Sequence, residues 1–332
     1  MTDLPWPPGT STGVGSLPGD DIADALRRVF DACPDLPFLP ELPSRGPGAG
    51  LIGRGAALLA DLAVDLQPSG WRLVDRPGRD LHRARDLLAR DLDALQEAAG
   101  DYAGPLKVQA AGPWTLAAGL ELTRGDKSLA DAGARRDVGA ALAEGLAEHV
   151  AEVRRRVPGA EVVLQLDEPS LPVVLAGRVK TASGFDVLRP IEEPEAESGL
   201  REVLAAAGVF GLVHCCAFRP PIALLLRAGA RALSLDIEML STSDDELGAA
   251  VEGGAGLLLG LVPSVDAPVP LSAPAATVAP VRALWARLGL PAEQMAAAVV
   301  VTPSCGQAGA SPAYAWAALA RCREAAQELA GG

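Results

Sequence analysis

The sequence predicts one α/β domain, a single (β/α)8 TIM-type barrel spanning residues 1–332, and three observations carry that expectation. Eight short Val-, Leu- and Ala-rich runs recur along the chain, at 10–15, 37–40, 106–110, 161–166, 210–214, 232–235, 256–261 and 298–302. Most are apolar without interruption (VVLQL, FGLVH, LLLGLV, AVVVT), as strands covered on both faces by helices are. Between them lie segments of helical periodicity, an alternation that points to a parallel sheet wrapped by helices. An open doubly wound sheet is the main rival.

Taken in order, the first run leads through Gly13-Val14-Gly15-Ser16-Leu17-Pro18 into a helix expected near 20–32. The second ends at Glu41 and precedes a helix near 50–65. Residues 67–80 hold a Trp-Arg-Leu-Val run, readable as a small extra strand or a hairpin. Leu81, Ala84, Leu88, Leu92 and Leu95 then keep a spacing of three or four, one face of a helix. The third run leads into Gly112-Pro113-Trp114-Thr115 and a helix near 113–123. Val138, Leu142, Leu146, Val150, Val153 and Val157 mark a long helix that stops before Pro158. Further helices are expected near 195–207, 219–229, 244–252, 275–288 and 312–330, each following a strand. The Pro-rich stretch 262–274 reads as a long strand-to-helix loop, and no repeat or low-complexity linker divides the chain.

Composition narrows the classes. A 49% apolar fraction supports a sizeable core. Net charge −13 with no basic cluster argues against nucleic acid or an anionic membrane as partner. No apolar run approaches the ~18–20 residues of a membrane span. Residues 1–8 lack the basic and apolar regions of a secretory signal, so a cytoplasmic location is expected. Five cysteines, an odd number in a chain with ample core, argue against a disulfide framework and leave thiols for metal or catalysis.

In a barrel of this type, chemistry sits just beyond the C-terminal strand ends. His214-Cys215-Cys216 closes the fifth run. Residues two apart on a strand share a face, so His214 and Cys216 can grip one ion while Cys215 turns into the wall. Cys305, after the eighth run, can add a second thiolate and Asp236, after the sixth, a carboxylate. Imidazole and thiolate are zinc ligands, and catalytic zinc keeps one position open. His82 and His149 fall on helix patterns and read as packed or solvent-facing. Asp167 shares parity with Gln165, which suits an inward carboxylate that receives a substrate ammonium. Glu168, before Pro169, reads as an acid at a helix start. Gly13–Pro18 is either a plain turn or an anion seat, in which backbone amides and the Ser16 hydroxyl hold a carboxylate. Trp114 is either core or cleft wall.

Five of these segments, in order, resemble the catalytic half of the cobalamin-independent methionine synthase family. Its Gly-Ser-x-Pro element is matched by Gly15-Ser16-Leu17-Pro18, and its Gly-Pro-x-Thr by Gly112-Pro113-Trp114-Thr115. Its Gln-x-Asp-Glu-Pro-Ala-Leu is similar to Gln165-Leu166-Asp167-Glu168-Pro169-Ser170-Leu171, its His-x-Cys to His214 and Cys216, and its Pro-Asp-Cys-Gly to Pro303-Ser304-Cys305-Gly306. The resemblance implies a zinc site at the barrel mouth with ligands His214, Cys216, Cys305 and a carboxylate at Asp236, where the family carries Glu; Glu238 shares its parity and is the alternative. It further implies methyl transfer to homocysteine, whose carboxylate would meet Gly15 and Ser16, and whose ammonium would meet Asp167 and Glu41. Asp167, His214 and Cys216 would then form the catalytic set. Two departures concern the donor: the family's duplicated amino-terminal half has no counterpart here, and its pterin-facing tryptophan falls at Gly119. The donor readings are 5-methyltetrahydrofolate, a corrinoid, or another methyl carrier, including a carrier protein. A zinc- and thiol-binding protein without turnover is the non-enzymatic reading.

Overall fold

The structure is a computed structural model, and it describes residues 4–240, 244–266 and 268–331. Its centre is a curled, six-stranded parallel sheet in sequential order: β3 (Gly104–Ala111), β4 (Ala160–Asp167), β5 (Phe210–Cys215), β6 (Ala232–Asp236), β7 (Gly256–Val262) and β8 (Val299–Pro303). Strands β1 (Val64–Gln67) and β2 (Gly70–Leu73) form a separate antiparallel hairpin, which settles the Trp71 run as a hairpin. Twelve helices complete the described elements: α1 (Ile22–Ala32), α2 (Leu51–Ala57), α3 (Arg79–Ala99), α4 (Pro113–Gly119), α5 (Ala132–Arg156), α6 (Leu171–Leu175), α7 (Glu193–Ala207), α8 (Ile222–Arg227), α9 (Asp244–Glu252), α10 (Pro274–Leu288), α11 (Met295–Ala298) and α12 (Pro312–Gly331).

The closed eight-stranded barrel is not what forms. The first two expected strands, 10–15 and 37–40, are extended segments joined to the sheet by isolated parallel bridges, Ser11 to Val301 and Phe38 to Lys107, and to each other through Ser16 and Glu41. Each junction carries a pair of backbone bonds: Thr12 N–H to the Val301 carbonyl with Val301 N–H to Thr10, and Leu39 N–H to Lys107 with Lys107 N–H to Pro37. The composition explains the short contact. Pro37 and Pro40 have no N–H to give a ladder, and Gly13 and Gly15 weaken a strand interior. The helix expected near 50–65 also ends early, at Ala57. The following turn packs its Leu58 carbonyl where any side chain at Gly145 of α5 would collide with it.

Strand parity sorts the core. Outward residues such as Val162, Leu164, Leu166, Val213, Leu233, Leu257 and Val301 belong to the large cluster under the helices. Inward residues change character along the strands. At the N-terminal end Val163, Phe210, Leu212, Ala232, Leu258 and Val300 pack with Leu36 and Trp6 into an apolar plug. Further along the same inner faces come Lys107, Gln109, Gln165, Asp167, His214, Ser234 and Thr302, all buried. A half-filled polar layer therefore sits on an apolar floor. No helix among the described residues is long and apolar enough to cross a membrane.

Candidate functional site

The polar layer opens at the C-terminal strand ends. His214 is the third inward residue of β5, after Phe210 and Leu212, and Cys216 continues the same face; Cys215 points the other way, into the helix-side core. Cys305 arrives from the turn after β8. Its sulfur lies 3.8 Å from His214 Nε2 and 3.2 Å from the Cys216 sulfur. The three ligand atoms lie within 4.8 Å of one another, and among the described residues this is the one such His/Cys/Asp/Glu group. A tetrahedral zinc with Zn–S near 2.3 Å and Zn–N near 2.0 Å spaces its ligand atoms by roughly 3.4–3.9 Å; the 3.8 Å sulfur–nitrogen distance matches, and the sulfur pair at 3.2 Å would open by a few tenths of an ångström to hold the ion. His214 Nδ1 meets Ser234 Oγ at 2.9 Å, an outer partner that fixes the ring and turns Nε2 toward the sulfurs. The neighbouring sulfur, with the imidazole beside it, holds Cys305 well below the usual thiol range, while the same sulfur contact pushes Cys216 well above it.

Asp236 is not brought into this group. Its carboxylate accepts the Glu238 amide at 3.0 Å, capping the short turn Ile237–Met239 that starts directly after it. Strand parity gives Asp236 an inward start, but a short side chain followed at once by a turn bonds its own backbone instead. Glu238, the alternative ligand, is exposed. Among the described residues three side chains, His214, Cys216 and Cys305, are placed where they could hold an ion.

Beside the trio lies a cavity of about 150 Å³ lined by Val14, Gly15, Ser16, Glu41, Asp167, His214, Cys216, Cys305 and Gly306. Motifs far apart in sequence are locked together around it. Gln307 N–H donates to the Ser16 carbonyl at 2.7 Å, and a side chain at Gly306 would overlap the Ser16 hydroxyl. Leu17 N–H donates to the Glu41 carbonyl and Glu41 N–H to Gly15. Asp167 and Glu41 thus face one cavity as two buried carboxylates. Burial, with Glu41 adding repulsion, pushes Asp167 up to about 7. Burial also raises Glu41, against the pull of Arg54. A cation seated between them would relieve that repulsion.

The two residues with structural alternatives resolve as scaffold. Glu168 is fully buried; its carboxylate accepts from Trp114 N–H at 2.9 Å, Thr115 N–H at 2.8 Å and the Thr115 hydroxyl at 2.7 Å. It caps α4, the helix opened by Gly-Pro-x-Thr, and Gly112 leaves the space for it. Trp114 is core, its indole N–H donating to the Ala196 carbonyl at 2.9 Å, and it does not line the cavity.

Sequence reasoning passed over a second layer. Arg54 on α2 reaches Glu41 at 3.7 Å and Asp91 of α3 at 2.5 Å, and Asp91 also takes Arg45 in two bonds of 2.6 and 2.9 Å. Lys107, wholly buried on β3, donates to the Val14 carbonyl at 2.9 Å; burial lowers it to about 8 despite nearby Asp167 and Glu41. The signal was present: Lys107 and Gln109 share one parity within the otherwise apolar run PLKVQAA.

No protein-family profile matches the sequence, and no curated protein matches it. Solved structures do. A B12-independent methionine synthase from a Shewanella species, in complex with selenomethionine, superposes with a TM-score of 0.62 at 12% identity, covering 98% of this chain and 98% of that one. The carboxyl transferase domain of Rhizobium etli pyruvate carboxylase (15% identity, TM-score 0.25, covering 67% of this chain and 41% of that one) and a mandelate oxidase (19%, 0.30, 93% and 94%) superpose too loosely to bear on the reading. The likeness expected from five short motifs holds at the level of fold: this chain is built like a B12-independent methionine synthase from end to end.

Proposed function

We propose that the protein transfers a methyl group to the thiol of homocysteine, giving methionine, at a zinc site held by His214, Cys216 and Cys305. The observation that carries this reading is one small cavity bordered on one side by three soft ligand atoms and on the other by two buried carboxylates. An α-amino acid with a thiol at the end of its side chain matches that layout. The amides and hydroxyl around Gly15 and Ser16 take its carboxylate, and Asp167 and Glu41 take its ammonium. Zinc, when bound, supplies the charge that keeps the acceptor sulfur as thiolate at neutral pH, where a thiol of pKa about 8.5 is mostly protonated. The protein's own part is orientation: both ends of the amino acid are fixed, so the sulfur can point only at the trio. His214 bonds Ser234 through Nδ1 and faces the sulfurs with Nε2, so neither nitrogen is left to move a proton.

The fold likeness to a methionine synthase solved with selenomethionine supports an amino acid of this size in the pocket. The five cysteines are free, which suits the cytoplasmic setting we infer. The candidate donor site is a wider cleft of about 480 Å³ bordered by Asp236, Glu238, Arg287 and Ser304, the last directly preceding Cys305 in the chain. 5-Methyltetrahydrofolate is the first donor to test. A corrinoid or another carrier is the second, favoured by Gly119, where a side chain would collide with Ile52 and no ring is present to stack on a pterin.

The test is methionine formation by the zinc-loaded protein from homocysteine and either 5-methyltetrahydrofolate or methylcobalamin, with metal content measured in parallel. Methionine from one donor supports the reading and names the donor. Stoichiometric zinc with homocysteine bound, but no methionine from any methyl donor, replaces it with thiol binding without turnover.

A further inference from the structure

The Val14 carbonyl receives two donors from the barrel interior, Lys107 Nζ of β3 at 2.9 Å and Gln165 Nε2 of β4 at 2.8 Å. Both lone pairs of that oxygen are therefore engaged, one residue before Gly15-Ser16. The Lys107 ammonium makes no other hydrogen bond among the described residues, and it lies 5.2 Å from the centre of the Phe38 ring. Phe38 in turn fills the space a side chain would need at Gly13. Gln165 Nε2 reaches Asp167 Oδ1 at 2.7 Å as well, so one amide group links Val14 to the carboxylate across the cavity. A wholly buried ammonium is costly compared with an apolar residue of the same length. Lys107 does not line the cavity. Its cost is explained by what it holds.

We propose that Lys107 is a positioning residue that tethers the Val14 carbonyl and thereby sets where Gly15 and Ser16 receive a substrate carboxylate. This rests on the reading that the Gly15–Ser16 turn is the carboxylate seat of an α-amino acid. The hydrogen bond acts on the carboxylate end of the substrate, whereas the charge of Lys107 also lies near Asp167 and Glu41. The ammonium end depends on Asp167 and Glu41, and the sulfur end on His214, Cys216 and Cys305.

That asymmetry is testable with three thiols measured by titration calorimetry on the zinc-loaded protein: homocysteine, 4-mercaptobutyrate, which lacks the ammonium, and 3-mercaptopropylamine, which lacks the carboxylate. Lys107→Met is expected to keep its zinc, to bind homocysteine and 4-mercaptobutyrate about tenfold more weakly, and to bind 3-mercaptopropylamine no more weakly than the native protein does. Unchanged affinity for the two carboxylates overturns the proposal, and so does an equal loss for all three thiols, the mark of general damage. If Lys107→Met does not fold, Lys107→Arg keeps the buried charge but cannot place its bulkier head at the same spot, and the same selective loss is expected. Native protein that fails to bind homocysteine overturns the functional reading itself, and the proposal with it.

Discussion

Cys305 and Cys216 carry their sulfurs 3.2 Å apart on turns from different strands, and with His214 they form the proposed zinc site. Replacing either removes one of three ligands. Cys216→Ser is expected to lower zinc from stoichiometric to near zero in the purified protein, read by elemental analysis; full retention contradicts the ligand assignment. Ser234 acts one step further out. Ser234→Ala frees His214 Nδ1 and is expected to weaken zinc about 10–100-fold against a competing chelator while the fold is kept. At this scale the sequence was readable where strand parity decides, since His214 and Cys216 share a face whatever the fold's details. It was not readable at Asp236, where the turn beginning at the next residue redirects the carboxylate to a backbone amide.

Elements hold the site through caps and buried charge. Glu168 joins the end of β4 to the start of α4 by three accepted bonds. Glu168→Ala strands those donors in the core and is expected to cost about 2–4 kcal/mol in denaturant unfolding. A change below about 0.5 kcal/mol would show that α4 does not need this cap. His149 of α5 supplies the pH dependence. Burial, with Arg54 adding repulsion, lowers it to about 4, so the folded ring stays neutral where the unfolded one, near 6.5, takes a proton. At this site the unfolded state then binds more protons between those values, so the His149 contribution to stability is complete above pH 6.5 and lost as pH falls toward 4. At 1.36 kcal/mol per unit the loss reaches about 3 kcal/mol, and His149→Phe is expected to remove that part of the slope. Identical acid slopes in the two proteins would show that the buried ring does not set it. Helix periodicity located α5 and its buried face, but whether His149 would be solvated or enclosed depended on the turn at Leu58 and on Arg54, which no local pattern reveals.

At the scale of the molecule, the strand-by-strand alternation was legible because both-face burial writes long apolar runs. The seam was not. Residues 10–15 and 37–40 read as strands by composition, yet their prolines and glycines leave them attached by isolated bridges. Native-state hydrogen exchange should find the amides of Thr12 and Leu39 opening at lower free energy than those of Leu164 and Val213 in the central ladder. Equal protection would mean the seam is as strong as the sheet. Because Ser16 and Glu41 sit on the seam segments, homocysteine is expected to slow exchange there and leave β5 unchanged.

The apolar plug of Trp6, Leu36, Val163, Phe210, Leu212, Leu258 and Val300 gives the interior a floor, and among the described residues it closes that end of the sheet. On the proposed function, the amino acid's seat at the buried Asp167 lies deeper than any site for a bulky methyl donor, so the small thiol is expected to enter first and the donor to follow. Steady-state kinetics with both reactants varied should give sequential, ordered addition with the thiol leading. Free entry in either order would mean a second passage exists.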